Sequence, residues 1–181
     1  MEILRYTSVL LLTLCWASLG GEIPREYKIK AVFLFNFAQF TDWPSEAFAD
    51  KDSPIIIGIL GTDPFGTFLD DTVHGEVVNG RRLEVHRYTK VAETKSCHIL
   101  YIAQSEANRL DHIVSELKTK PVLTVSDIKD AAGRGVMIGF MTDLKRIRLK
   151  INAEAAKTAN LSLSSKLLRA AVDVIGALEK K

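Results

Sequence analysis

Ser126 and Asp127 are the first candidates for chemistry, because they directly follow a short apolar run that predicts a buried strand. In α/β folds, ligand and catalytic sites lie outside the carboxyl ends of the strands. A serine hydrolase would need this serine on a sharp turn beside a histidine base, and the G-x-S-x-G sequence of such a turn is absent. The same dipeptide is a common helix cap. We therefore predict no catalytic residues and keep a hydrolase as the weakest alternative.

A second candidate site follows an earlier predicted strand, where Gly58, Gly61 and Gly66 surround a Thr-Asp-Pro turn. Their spacing is not G-x-G-x-x-G, and the chain has no phosphate-binding P-loop sequence, so we predict no cofactor. Asp63 is better suited to cap the next helix, with Pro64 at its first position. Ligand contact is the alternative, and we expect it in a pocket at the carboxyl ends of the strands, formed by Asp63, Phe65, Ser126 and Asp127.

The histidines and cysteines give no metal-binding pattern. The four histidines lack H-x-x-x-H and H-E-x-x-H spacing, and one cysteine cannot form a zinc knuckle. His98 is within an apolar strand, whereas the other three are in segments that look exposed. Cleavage of a signal peptide would leave Cys97 as the single cysteine, which excludes an intramolecular disulfide. We predict a buried, inert thiol there, with a reactive or intermolecular thiol as the alternative.

The segment from Ile29 to Pro44 predicts a helix with apolar residues on two opposite faces. Trp43-Pro44 requires an extended exit, so we expect the helix to end near Asp42. The first face should be buried: Ala31, Leu34, Phe35 and Ala38. The polar residues predicted to separate the two faces are Lys28, Lys30, Asn36 and Gln39. The second face consists of Ile29, Phe33, Phe37 and Phe40. It either lies in the same core or contacts a partner or a second copy, and the predicted contact residues are Phe33, Phe37, Phe40 and Trp43.

After this helix, short apolar runs alternate with helical patterns. This alternation predicts a three-layer α/β fold, with a mostly parallel sheet covered by helices on both faces. The predicted strands are 55–60, 82–86, 98–102, 122–125, 135–140 and 146–151. The last two are too close for a crossover helix, so we expect an antiparallel hairpin at one edge of the sheet. The predicted helices are 63–71, 105–118, 127–132, 153–158 and 164–178, the last lying on the sheet.

The amino-terminal residues 1–20 have the layout of a cleaved signal peptide, with Arg5 followed by a short apolar core. Leu14 directly before Cys15 fits poorly with a lipoprotein site, so we predict no lipid anchor. Residues 21–181 have a suitable length for one domain, exported to the periplasm. A formal charge of +2 is too small to indicate nucleic acid or a membrane surface. Basic residues near 81–90 and 145–150 suit solvated strand edges, with an acidic partner as the alternative.

The helix sequence resembles the first helix of the YfiR family, which has the pattern KAxFLxNFxxFxxWP. The matching residues are Lys30, Ala31, Phe33, Leu34, Asn36, Phe37, Phe40, Trp43 and Pro44. Further matches follow in the family's order. They are IGILGTDPFG (57–66), CHILYIAQSE (97–106), LTVSD (123–127), GVMIGF (135–140), and IN followed by LSLSSKLL (151–168).

The resemblance implies a periplasmic, non-enzymatic protein that binds an inner-membrane diguanylate cyclase of the YfiN type. Holding that cyclase inactive would lower cyclic di-GMP and, with it, biofilm formation. Family members are often dimeric, so the aromatic helix face suits a homodimer as well as the cyclase. The alternative function is a periplasmic small-ligand receptor that serves another membrane sensor, such as a histidine kinase.

Overall fold

A computed structural model describes residues 22–144 and 146–176. The predicted signal peptide therefore lies outside the described residues. In chain order, the helices and strands are α1 (Arg25–Gln39), β1 (Thr41–Asp42), β2 (Ile55–Leu60), α2 (Phe68–Val73), β3 (Val77–Val78), β4 (Arg81–Tyr88), β5 (Ile99–Ile102), α3 (Leu110–Leu117), β6 (Leu123–Ser126), β7 (Ile138–Asp143), β8 (Arg146–Asn152), α4 (Ala153–Thr158), β9 (Ser162–Leu163), α5 (Ser165–Ala170) and β10 (Asp173–Ile175). Short 3-10 turns span Ser45–Ala47, Val91–Glu93 and Gln104–Arg109.

The main sheet has eight strands in the order β10-β8-β7-β6-β5-β2-β4-β3. Strands β4, β2, β5, β6 and β7 are parallel neighbours, whereas β7 pairs with β8 in antiparallel register. The predicted hairpin is therefore confirmed, but β10 pairs in parallel beyond it and takes the edge position. A separate antiparallel pair joins β1 to β9.

Helices cover both faces of the sheet, which confirms the predicted three-layer α/β architecture. The first face carries Ile57 and Tyr101, which share a core with residues of α1 and α2. The opposite face carries Leu100 and Ile102, which share a second core with α3. Helix α3 buries residues three and four positions apart, at Leu110, Ile113 and Leu117. That spacing puts one apolar stripe against the sheet and leaves the other side of the helix polar.

The carboxyl-terminal part of the chain differs most from the prediction. We predicted one helix over 164–178, but α5 ends at Ala170 and β10 then pairs with β8, aligning Val174 with Ile151. The main-chain N–H of Val172 already donates to Leu149 O at 2.9 Å. A free edge on β8 and the β-branched residues after position 171 favour a strand over a continued helix. Leu178, assigned to the predicted helix, lies outside the described residues.

Local hydrogen bonds explain the smaller differences between the predicted and observed ends of the helices. The helix predicted from residue 63 begins at Phe68, because Asp63 Oδ1 accepts from Phe65 N–H at 2.7 Å and forms a tight turn first. The helix predicted over 127–132 is a series of turns. Helix α1 ends at Gln39, three residues before the predicted position at Asp42, because β1 pairs with β9.

Candidate functional site

The carboxyl ends of β2 and β5 form the place where this sheet order would open a ligand crevice. Strands β4 and β5 lie on opposite sides of β2, so the chain reverses direction across the sheet there. Such a switch point is the usual ligand site of open α/β sheets. Here the chain fills it, since Thr62 N–H donates to Ser105 Oγ at 2.9 Å. Gly61 has φ +93°, and a Cβ at this position would collide with Ser105 Oγ, so only glycine permits this approach.

Two of the predicted pocket residues belong to this closed region. Asp63 Oδ2 lies 2.9 Å from Arg87 Nε, and Arg87 also binds Asp70 at 2.5 Å. The hydrogen bond from Arg87 is the main reason that the pKa of Asp70 lies below its ordinary value. Phe65 is completely buried and meets the Tyr101 ring edge to face at 4.8 Å. Asp63 is thus part of a turn and an ion-pair network, while Phe65 is part of the core.

Ser126 has its hydroxyl fully engaged inside the protein. The side chain is completely buried. Its Oγ donates to Ile102 O at 2.8 Å and accepts from Ile128 N–H at 3.1 Å. These two bonds join neighbouring strand ends and the loop after β6. The geometry is that of a structural hydroxyl, with its proton already committed to a carbonyl.

Asp127 is joined to α1 by an ion pair that the sequence analysis did not predict. Lys30, expected on a polar strip of the helix, is only 1% exposed. Its Nζ lies 2.5 Å from Asp127 Oδ2 and 2.6 Å from Glu26 Oε1. The ammonium group also lies 4.4 Å from the centre of the Tyr27 ring. Its burial is tolerated because two carboxylates and an aromatic ring replace the water shell of the ammonium group.

The phenols around Asp127 are held in their neutral form. Burial, followed by the charge of Asp127, raises the pKa of Tyr27 to about 12. The same two causes, in the same order, raise the pKa of Tyr101. Glu26 also accepts a hydrogen bond from Thr142 of β7 at 3.2 Å. The amino-terminal half of α1 is thus fastened to the carboxyl end of β6 and to the β7–β8 hairpin.

A cavity of about 460 Å³ adjoins Asp127 on the side of the β7–β8 hairpin. Its wall includes Phe140, Lys150 and the loop that follows Asp127. The structure therefore groups Phe65 and Asp127 around Tyr101, but places Asp63 with Arg87 and buries Ser126 separately. A ligand pocket of all four residues stays a prediction, and Asp127 is the member that lines a cavity.

The amino end of β5 is packed by aromatic rings. The ring of His98 stacks on Phe48 at 4.4 Å, and its Nδ1 accepts from Ile56 N–H at 3.1 Å. Burial lowers the pKa of His98 to about 4. Trp43, one of the predicted contact residues, donates from Nε1 to His98 O at 3.1 Å. Trp43 thus holds the chain after α1 against β5.

The other cysteine and histidine positions do not converge. Cys97 is buried, and burial raises the pKa of its thiol to about 12, as expected for an inert cysteine. Among the residues that the structure describes, no three His, Cys, Asp or Glu side chains come close enough to hold a metal ion.

The aromatic face of α1 is mostly core. Phe37 is 1% exposed and stacks on Phe140 with ring centres 5.9 Å apart. Phe33 and Phe40 are half-buried and pack against the same core. For Phe37 the structure therefore selects the core, one of the two alternatives left open for the second face, because the inward side of the helix is wider than the first predicted stripe. Partner binding by this helix stays a prediction.

The outward side of α1 presents a different apolar surface. Ile29 is 38% exposed and Val32 is 45% exposed. Together with Phe68 of α2 they line an open groove of about 450 Å³. We call this surface the α1 groove and define it by Arg25, Lys28, Ile29, Val32, Phe33, Asn36 and Phe68. Of the predicted contact residues, Phe33 lies in it. Ile29 and Phe33 of the predicted second face therefore line the groove, whereas Phe37 of the same face lies in the core.

Comparison with known proteins identifies the family. The YfiR/HmsC-like family model matches residues 27–172, from the first turn of α1 to the residue before β10. No curated protein gives a significant match. Within residues 22–144 and 146–176, no helix has the length and hydropathy needed to cross a bilayer. The family match covers most of the chain and all of the strands up to β9, and the chain therefore belongs to the YfiR/HmsC-like family.

Proposed function

We propose that this protein is a periplasmic regulator that binds the periplasmic part of an inner-membrane diguanylate cyclase and holds it inactive. Export by a cleaved signal peptide is part of the proposal. The observation that carries it is the family match over residues 27–172. The α1 groove supports a binding role, because an exposed apolar surface of this kind commonly marks a protein contact. The consequence for the cell is less cyclic di-GMP and less biofilm.

Restraint requires a difference in affinity. A regulator that bound the active and inactive cyclase equally well would not change their ratio. A preference of about 1.4 kcal/mol for the inactive state changes the ratio tenfold. The protein therefore needs a surface that fits only one arrangement of the cyclase, and it needs no chemical step of its own.

A ligand receptor is the second candidate, and the cavity beside Asp127 favours it. In that function a small molecule would bind there and a different membrane sensor, such as a histidine kinase, would read the result. The closed crevice between β2 and β5 weighs against this candidate, since Ser105 fills the place that ligands use in related sheet orders. A ligand at Asp127 could also adjust cyclase binding through Lys30, so the two functions are compatible.

Affinity capture tests the proposal. The full chain, tagged at its carboxyl end, is expressed in its own host, captured from detergent-solubilised membranes and analysed by mass spectrometry. A tagged periplasmic protein of another fold is the control. Enrichment of a membrane diguanylate cyclase over the control is the expected result. Enrichment of a histidine kinase would favour the receptor, and enrichment of no membrane sensor would contradict both.

A further inference from the structure

The α1 groove has the residue spacing of a helix-packing seam. Arg25, Ile29, Val32 and Asn36 follow one another at intervals of four, three and four residues along α1. These intervals are those of the a and d positions that pack one helix alongside another. Two of the four are the exposed apolar residues of the helix. The outward side of α1 is therefore shaped to receive a second helix.

The floor and one end of the α1 groove have different chemistry. The floor is apolar and includes the rings of Phe33 and Phe68. At the amino-terminal end Arg25 is exposed, and Lys28 lies 6.0 Å from the Phe68 ring. Within the described part of the chain, Lys28 pairs with the carboxylate of Glu22 at 3.9 Å, and the Glu22 side chain is 93% exposed. Such an exposed pair contributes little, so the charge of Lys28 can bind another acid.

A second copy of α1 does not provide an acidic partner for the positive charges of Arg25 and Lys28. In an antiparallel pair centred between Ile29 and Val32, Arg25 faces Asn36 of the copy. In a parallel pair, Arg25 faces Arg25. The antiparallel arrangement places no carboxylate opposite Arg25, and the parallel arrangement places like charges together. The charge pattern therefore favours a helix from a different protein.

We infer that the α1 groove binds one amphipathic helix of the membrane partner. This helix presents apolar residues three and four positions apart to Ile29, Val32 and Phe68. It carries Asp or Glu where it passes Arg25 and Lys28. The inference rests on the proposed function, because it names the surface through which the regulator contacts the cyclase.

Photocrosslinking from single positions locates the contact. A photoreactive amino acid replaces Val32 in the full chain in its own host, and the matched control replaces Val77. Val77 is 57% exposed and belongs to β3, at the edge strand of the sheet. We expect an adduct with the membrane partner from position 32 that is about tenfold stronger than from position 77. The adducted peptide should be amphipathic with acidic residues at one end.

Two adducts would overturn the inference. A crosslink from position 32 to a second copy of the chain would make the groove a homodimer surface. A crosslink to a segment of the same chain would make it an intramolecular contact. An absent crosslink, in a host where the tagged protein captures the cyclase, would also overturn it while leaving the proposed function intact. If the wild-type protein captures no cyclase, the proposed function itself fails.

Charge reversal provides a second measurement. The double variant Arg25→Glu with Lys28→Glu should retain about tenfold less partner at low salt, with a smaller deficit at high salt. Replacing the facing acid of the partner by Lys should restore retention. The control is Lys51→Glu with Arg82→Glu, two residues exposed away from α1. Equal retention by both double variants would contradict the inference.

Discussion

The two sides of helix α1 differ in what they offer other molecules. On its inward side Lys30 pairs with Asp127 and Phe37 stacks on Phe140. These contacts lie at the edge of the sheet where α/β proteins commonly bind ligands. Its outward side leaves Ile29 and Val32 in an open groove. Lys30 and Ser105 fill part of the carboxyl-end region from within and leave the cavity beside Asp127. The exposed apolar residues of this helix are on its opposite, outward side.

The difference has an energetic consequence. Inward substitutions remove buried contacts or leave a buried charge without its partner, and such changes lower the free energy of unfolding by several kcal/mol. Outward substitutions change exposed groups and usually alter that free energy by less than about 0.5 kcal/mol. Folding and partner binding should therefore be separable on a single helix.

Phe37→Asp should give the largest loss of stability. It removes a ring that is 1% exposed and buries a carboxylate beside Phe140, so we expect a loss of more than about 4 kcal/mol. Thermal and denaturant unfolding measure it. The matched control, Val32→Asp, lies on the exposed side and should lose less than about 1 kcal/mol. If Phe37→Asp unfolded like the wild type and lost only its partner, the originally predicted aromatic surface would be right.

Lys30→Met should give the second-largest loss of stability. We expect the free energy of unfolding to fall by about 3–5 kcal/mol, because Asp127 would keep its buried charge without the ammonium group. Urea unfolding at neutral pH measures the change. Lys28→Met is the control and should have little effect, since that side chain is exposed. Adding Asp127→Leu to Lys30→Met should recover much of the loss. A double variant less stable than Lys30→Met would contradict the ion-pair account.

Acid should destabilise the protein through His98. Its folded pKa of about 4 lies below its ordinary value of 6.5, so the unfolded chain binds the proton more tightly. The stability that neutral His98 contributes is complete above pH 6.5. It is lost as the pH falls towards 4, which lowers the free energy of unfolding by about 1–3 kcal/mol. Unfolding curves over this range measure the slope. His98→Asn can still accept from Ile56 N–H and should flatten the slope, and an unchanged slope would contradict the assignment.

Ser126→Ala should have the smallest effect of the inward changes. It removes two hydrogen bonds within the fold and should lower the free energy of unfolding by about 1–2 kcal/mol. Cyclic di-GMP in the host should stay at the wild-type level, because this hydroxyl does not face the α1 groove. If the Ser126→Ala variant is still folded but no longer lowers cyclic di-GMP, the regulatory site lies at the carboxyl ends of the strands.

The sequence predicted the sheet well because buried parallel strands are short, continuous apolar runs. All six residues of β2 are buried, and α3 shows its apolar stripe in local spacing. The strand β10 was missed because its residues also fit a helical stripe. Its pairing with β8, a non-local interaction, decided the outcome.

The exposed surface of α1 was harder to predict for a related reason. A charged residue in a helix is normally exposed, so Lys30 was placed between the two apolar faces, and the pattern left open whether the face of Phe37 is core or contact surface. Asp127, whose carboxylate pairs with the buried Lys30, lies 97 residues away in the chain. The neighbouring Glu26 at the i−4 position was a local signal of an ion pair, but it does not reveal burial.

The most direct test of the central claim measures cyclic di-GMP in the host after deletion of this protein and return of single variants. The wild type and Val77→Glu should both restore the low level. Val32→Glu should accumulate as a folded protein and leave the level as high as in the deletion. If Val32→Glu restores the low level as fully as Val77→Glu, the outward side of α1 is not the regulatory surface.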